Sequence, residues 1–388
     1  MYISRLNIRN WRNFLKVDVN LQERMFFVGP NASGKSNLLD IFRFLHDIAK
    51  KRGGGLQQAI ADRGGISKIR CLATRSSPDI VIGIELLDFA SPTQSKQSLW
   101  KYEISLSQEP RGDRLPVLRY EKVWHDGQEI LARPKPEDEK DPKRLTQTHL
   151  EQINANEQFR EIAVFLQSIS YLHLVPQVIR HPEMFPSKQL SEDPFGVNFL
   201  AKISETNEKT RHARLKKIEQ VLSIAVPQLK QLSHAKDARG LPHLEAIYSH
   251  WRIHGARQQE DQFSDGTLRL IGFLWSLLES DSLLLLEEPE LSLNSAIVRQ
   301  LPALMYRMMR AKRRQVFITT HSTELLSDGG IAPEEVLMLT PQVEGTDVKN
   351  AGSDKEIKAL IEGGLSVAEV VIPKTAPQNI EQLEFQFQ

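Results

Sequence analysis

Cysteine is nearly absent. The single thiol among 388 residues, Cys71, excludes an internal disulfide and any zinc site built from several thiolates, and it fits a reducing compartment. Charge of one sign is also missing: 50 Lys and Arg face 49 Asp and Glu, a formal net charge of +1. A nucleic-acid binder with a global basic field is excluded, so any such surface must be a local patch. No apolar run approaches the roughly 20 residues that cross a bilayer. The opening "MYISRLNIRNW" turns polar by its fourth residue, so no signal peptide is expected. There is no internal repeat and no long heptad run, hence no coiled-coil arm. What remains is a cytoplasmic chain, without membrane contact, long enough for two or three domains.

Hydrophobic spacing supplies the element order. Ile3, Leu6 and Ile8, then Phe14, Val17, Val19 and Leu21, alternate as two strands joined around "NWRNF". "MFFVG" reads as a buried strand. A helix follows from Asn37, a loop at "KRGGGLQQ", and a strand pair at "DIVIGIELLDF" and "LWKYEISLS". The charged stretch "RPKPEDEKDPKR" (133–144) reads as a solvated loop or mobile tip. Residues 150–232 read as mainly helical, and "HLEAIYSHWRIHG" as a strand. "SDGTLRLIGFLWSLLES" is a helix capped by Ser264 or Asp265. A strand "DSLLLLEEPE", a helix over 295–310, and strands at "QVFITTHS" and "EEVLML" complete the pattern. Strand–helix alternation at both ends around a different middle predicts one α/β nucleotide-binding domain split by an insertion.

"GPNASGKS" (Gly29–Ser36) matches G-x-x-x-x-G-K-S between an expected strand and an expected helix. Its glycines permit a nest of N–H groups around phosphate oxygens, and the helix N-terminus adds its dipole. Lys35 would reach the β- and γ-phosphates and Ser36 would hold Mg2+. Four leucines ending in Glu287 and Glu288 read as a second buried strand, and a buried acid needs a partner such as a metal. Glu287 takes the metal-facing place, while Glu288 is placed to orient or deprotonate an attacking water. His321 ends another apolar strand, where a histidine can touch the γ-phosphate or the water. "FSDGTLR" offers Ser264 and the Gly266 N–H at a second helix start. Two such helix starts serve one nucleotide only if they face each other. That predicts a homodimer in which Gly266 of one subunit caps the ATP held by Lys35 of the other.

This motif order resembles the ABC-type ATPases of the RecF, SMC and OLD-nuclease group. "MYISRLNIRNWRNF" is similar to their opening strand pair, "FVGPNASGKSNLLD" to Walker A, "FSDGTLR" to the signature, "LLLLEEPELSLN" to Walker B with its D-loop, and "ITTHS" to the histidine switch. The likeness extends to stand-alone prokaryotic AAA family ATPases, some from anti-phage operons, through "LHLVPQVIRHPEMF" and "VLMLTPQVEGTDV". The resemblance implies an α/β P-loop head, a mixed sheet flanked by helices, with an inserted mainly helical lobe. Residues 1–110 and 261–342 would form the head, 111–260 the lobe, and 343–388 a tail packed on the head or extending from it. The implied cofactors are ATP and Mg2+. The implied nucleotide-binding set is Arg12, Gly29, Asn31, Ser33, Gly34, Lys35, Ser36 and Asn37. Ser264, Gly266 and Thr267 form the signature acting in trans, Ser36 and Glu287 hold the metal, and Glu288 and His321 are catalytic.

The sequence departs from that pattern at several places. Asp265 and Thr267 stand where many ABC proteins have glycine and glutamine, Glu287 replaces the commoner aspartate, and Asn294 stands where the subgroup often has histidine. Gln57 and Gln58 are candidates for a glutamine loop. No N-K-x-D motif supports a GTPase, and no D-x-D pair supports a TOPRIM nuclease. His250 and His254 of "HWRIH" lack cysteine or acids nearby for zinc. A nuclease or toxin effector would therefore be a separate chain, and the expected assembly is a homodimer or a higher even-numbered oligomer. "KTRHARLKK" and "RMMRAKRR" are modest basic clusters that could contact DNA. A RecF-like repair ATPase and a non-hydrolysing ATP-bound scaffold are the alternatives.

Overall fold

The computed structural model describes residues 1–75, 78–89, 99–109, 114–185, 195–249, 255–279 and 282–376. Three strands, β1 (Tyr2–Trp11), β2 (Phe14–Asn20) and β3 (Arg24–Val28), lead into the helix Lys35–Ala49. β4 (Ile80–Leu87), β5 (Leu99–Gln108), β6 (Pro116–His125) and β7 (Gln128–Arg133) follow. The helix Arg160–Ser168 precedes β8 (Ser170–Leu172). Next come the helix Glu208–Ala225, β9 (Leu229–Lys236), β10 (Pro242–Tyr248) and β11 (Ala256–Gln259). The helix Asp265–Glu279 leads to β12 (Leu284–Glu287), β13 (Val316–Thr320), β14 (Val336–Gln342) and β15 (Gly345–Asn350).

These strands form three sheets. The central one runs β15-β14-β3-β13-β12-β8, with β14 through β8 parallel and β15 antiparallel at the edge. Its middle strands β3 and β13 are buried at every residue. Parallel strands covered on both faces read as continuous apolar runs for this reason. The two faces feed two cores. Met25, Phe27, Leu283, Leu285 and Phe317 join the core under the helix Lys35–Ala49 and the antiparallel sheet β2-β1-β4-β5-β6-β7. Phe26, Val28, Leu284, Leu286 and Ile318 join the core under the helix Asp265–Glu279. The period of two along each strand makes this division.

Several expectations need correction. Residues 111–260 are not one mainly helical lobe. β6 and β7 extend the N-terminal antiparallel sheet, and β8 is the edge of the central sheet. The remainder pairs the helix Glu208–Ala225 with the small sheet β11-β10-β9, so it is α/β. The stretch 133–144 is solvated along most of its length, as one of the two expectations had it, but it is anchored at Arg133 and Asp138. Buried Arg133 reaches Glu121 at 3.1 Å and Asp138 at 3.0 Å, which anchors the helix Pro136–Lys140 and the turn Pro142–Thr146. The loop expected at 51–58 already turns helical at Leu56, and the helix expected over 295–310 is split into Ser295–Val298 and Leu301–Lys312. In the second basic cluster Arg314 is buried, donating to the carbonyl of Ser282 at 2.7 Å, so it is a structural brace. The pair His250 and His254 lies outside the described residues. Residues 345–350 are part of the central sheet, so the start of the expected tail belongs to the head. Among the described residues no helix is long and apolar enough to cross a membrane.

Candidate nucleotide site

Three adjacent parallel strands, β3, β13 and β12, end side by side, and each contributes at its C-terminal end. β3 runs into the loop Gly29–Ser36, β13 into His321, and β12 into Glu287 and Glu288. Open α/β sheets bind ligands at that edge. In the loop, Ala32 and Gly34 take positive φ of 62° and 96°. At Gly34 a Cβ would lie 2.1 Å from the Asn13 amide, so the turn requires glycine for both conformation and space. The helix begins without a side-chain cap at Gly34, leaving its first N–H groups available to an anion. Lys35 is buried and donates to the carbonyls of Gly29 (2.9 Å) and Pro30 (3.1 Å). Burial lowers its pKa, and the nearby carboxylates of Glu288, Glu290 and Glu287 oppose that.

The pleat separates the paired glutamates. Glu287 shares a face with Leu283 and Leu285, the face under the helix Lys35–Ala49, and the Ser36 hydroxyl donates to its Oε1. Glu288 turns away at φ 42°, a left-handed conformation that costs a glutamate on the order of 1 kcal/mol. Its N–H is held by the Thr319 carbonyl at 3.1 Å, and its Oε1 lies 3.0 Å from His321 Nδ1. The geometry therefore unites Lys35, Ser36, Glu287, Glu288 and His321. Among the described residues no cluster of three His, Cys, Asp or Glu side chains could hold a metal. The Ser36 hydroxyl and Glu287 carboxylate instead suit Mg2+, which takes one or two protein oxygens and fills the rest with phosphate and water.

Other expected residues fall differently. Asn31 is exposed on the loop, whereas Ser33 is buried with its hydroxyl unpartnered. Asn37 donates to Asn13 Oδ1 at 2.8 Å, and its carbonyl accepts from Trp11 Nε1 at 3.0 Å, so it fastens the loop to the β1–β2 turn. Arg12 is committed to Asp40 at 2.7 Å. Burial pushes the Asp40 carboxyl up, but Arg63 and Arg12 outweigh it, and its pKa is lowered. Gln57 donates to the carbonyls of Pro116 and Thr146, and Gln58 to Asp62, so neither joins the site. Three contributors escaped the sequence reading. Asn13 and Thr346 both donate to the Ser33 carbonyl, at 3.0 and 2.9 Å, and the Tyr171 hydroxyl donates to Glu287 Oε2. The positions of Asn13 in the β1–β2 turn and of Tyr171 in the three-residue β8 carried no signal of these distant partners.

The second helix start is built separately. Ser264 Oγ accepts from the Thr267 N–H at 3.1 Å and meets the buried Thr267 hydroxyl at 2.8 Å. Thr267 is thus spent on the cap, while Ser264 stays exposed. Gly266 is required by space, because a Cβ would stand 2.5 Å from the Ser292 carbonyl in the loop after β12. Asp265 is held by Arg180 at 2.6 Å and by Gln177 at 3.2 Å, so the helix Pro176–Arg180 in "VPQVIR" fixes this turn. No described hydrogen bond joins 263–269 to the loop 29–36 of the same chain.

A parallel centre carrying this loop, the paired acids and the histidine, beside a separate antiparallel sheet, is the α/β fold of a P-loop head of the SMC type. The sequence matches the family described as "AAA domain, putative AbiEii toxin, Type IV TA system" over residues 24–327, and the chain belongs to that family. It is also similar to the DNA replication and repair protein RecF of Synechocystis sp., 31% identical over 87 residues, 22% of this chain and 23% of that protein. A second RecF, from Roseiflexus castenholzii, is 33% identical over 61 residues, 16% of each. The chain thus spans about a quarter or less of the length of the curated relatives it matches. Among solved structures, an SMC head bound to the C-winged helix domain of ScpA aligns with a TM-score of 0.52 at 13% identity, over 90% of this chain and 97% of that one. An SMC head with an extended coiled coil, bound to the C-terminal domain of ScpA derived from Pyrococcus furiosus, gives 0.50 at 12% identity, over 93% and 99%. At these identities the likeness is one of fold.

Proposed function

We propose that this chain is an ATP-binding and ATP-hydrolysing switch that closes head to head as a homodimer and acts on a separately encoded protein effector. The observation that carries the reading is the convergence of Lys35, Ser36, Glu287, Glu288 and His321 at the ends of three adjacent strands. The loop N–H groups and Lys35 would hold the phosphates, with Lys35 released from the Gly29 and Pro30 carbonyls. Ser36 and Glu287 would hold Mg2+, which when bound neutralises charge on the β- and γ-phosphates. Glu288 orients a water and accepts its proton, and His321 steadies the Glu288 carboxylate. Ser264 and the Gly266 N–H supply the anion site for the nucleotide on the partner subunit. A place in a toxin–antitoxin system is supported by the family description, and an effector on a separate chain by the lack of a D-x-D pair in the sequence.

The test is Glu288→Gln. Phosphate release should fall on the order of a hundredfold or more, and the molar mass should double and stay doubled with ATP in light scattering. Full turnover in that variant, or a monomer at saturating ATP, would sink the mechanism. A wild-type chain that binds ATP but releases no phosphate would leave only the ATP-bound scaffold.

A DNA-loading role of the RecF kind is the second reading, favoured by one observation. A cleft of about 980 Å³ between the helix Glu208–Ala225 and β9 is lined by Lys209, Arg211, His212, Lys216, Lys230 and His234, alongside Glu208 and Glu219.

A further inference from the structure

Glu287 carries one more methylene than the aspartate commonly found at its place, and so one more torsion to fix. The Ser36 hydroxyl restrains only Oε1. The other oxygen, Oε2, accepts from the Tyr171 hydroxyl on the neighbouring strand. Register accounts for the contact: Tyr171 of β8 lies opposite Leu285 of β12, and Glu287 is two residues further on, on the same face. A diagonal neighbour of that kind is within reach of a long side chain. The ring is itself held, because the Arg43 guanidinium sits over it, 4.2 Å from its centroid. Arg43 belongs to the helix that begins with Lys35 and Ser36. Phosphate-loop helix, edge strand and acid-bearing strand are thereby closed into one ring: Arg43, Tyr171, Glu287, Ser36.

We propose that Tyr171 is a positioning residue for Glu287. It holds the second carboxylate oxygen, so that the first is presented, together with Ser36, to a divalent cation. This rests on the metal reading given above and adds to it a residue that no motif marks. Partners that orient a ligating carboxylate commonly tune metal affinity by tenfold or more. The tie to β8 fixes the extra torsion that a glutamate has over an aspartate.

Binding of a fluorescent ATP analogue to the full-length protein, titrated with Mg2+, tests this. Tyr171→Phe keeps the ring and its Arg43 stacking but removes the hydroxyl. The Mg2+ concentration for half-maximal tightening should rise on the order of tenfold. Affinity for the analogue in EDTA and the melting temperature should not change. In a Glu287→Asp background the shorter acid cannot engage both Ser36 and Tyr171, so adding Tyr171→Phe should do nothing more. An unchanged Mg2+ requirement, an equal loss in EDTA, or the same fold-effect in the aspartate background would overturn the proposal. Wild-type protein that binds the analogue without any response to Mg2+ would overturn the metal reading itself, and this inference with it.

Discussion

Glu288 and Glu151 show how burial and backbone set the behaviour of single carboxylates. Glu288 turns off its strand at a positive φ, which aims it away from Glu287 and toward His321. Glu151 lies in the N-terminal half, where its Oε2 accepts from the Leu56 N–H at 2.6 Å. Burial, reinforced by the nearby Glu121 charge, raises its pKa from 4.5 to about 7 despite that bond. The folded chain therefore binds more protons than the unfolded one between those values. This contribution to stability is present below pH 4.5 and is lost as pH rises through about 7. Glu151→Gln retains an acceptor for Leu56 and removes the charge. It should raise the melting temperature at pH 8, with the gain gone at pH 4; melts at both values check this, and equal gains would refute it. At this scale the motif residues were legible because the phosphate loop and the paired acids are contiguous. Tyr171, Asn13 and Thr346 were not, because their partners lie 116, 20 and 313 positions away in sequence.

Among the elements, β1 through β5 and the central strands β3, β12, β13 and β14 follow their apolar periods, and the structure has them where the spacing puts them, whereas the edge strands β8 and β15 fell in stretches read as helix and tail. β6 was not foreseen. Its pattern "PVLRYEKVWH" mixes half-buried polar residues with only three buried ones, the composition of a strand wet on one face. The charged stretch after β7 is exposed along most of its length, as charge in sequence suggests, but Arg133 and Asp138 are exceptions that are satisfied inside together with Glu121. Burial pushes Glu121 up, and that penalty is bearable only beside the Arg133 guanidinium and the N–H groups of His149 and Leu150. Arg133→Ala leaves Glu121 and Asp138 buried without their cation. It should cost about 3–5 kcal/mol in a denaturant titration, and a loss under about 1 kcal/mol would show the network to be dispensable.

Across the whole molecule the two cores meet at the central sheet, and the basic cleft lies on the far part, beyond the helix Asp265–Glu279. If DNA is the partner of that cleft, Lys209→Glu with Lys216→Glu should weaken duplex binding. The log–log salt slope should flatten by about one per lost phosphate contact. An unaltered slope in anisotropy titrations would remove the cleft from any DNA role. The sequence alone determined the class of head, because a phosphate loop, its strand and its helix are one local unit whose chemistry needs no distant residue. It also determined the strands β1 to β5 and the apolar central strands β12, β13 and β14, though not β6 to β9 or β15. The sequence reading put Glu287 with Ser36, and the tertiary structure supplies the reason, since the helix Lys35–Ala49 covers the side of the pleat that carries Glu287. Tertiary structure decided that Arg12 is spent on Asp40, that Thr267 is spent on a cap, and that Tyr171 braces Glu287. Each of these depends on which neighbour the folded chain brings within hydrogen-bond reach, a relation that periodicity and spacing do not encode.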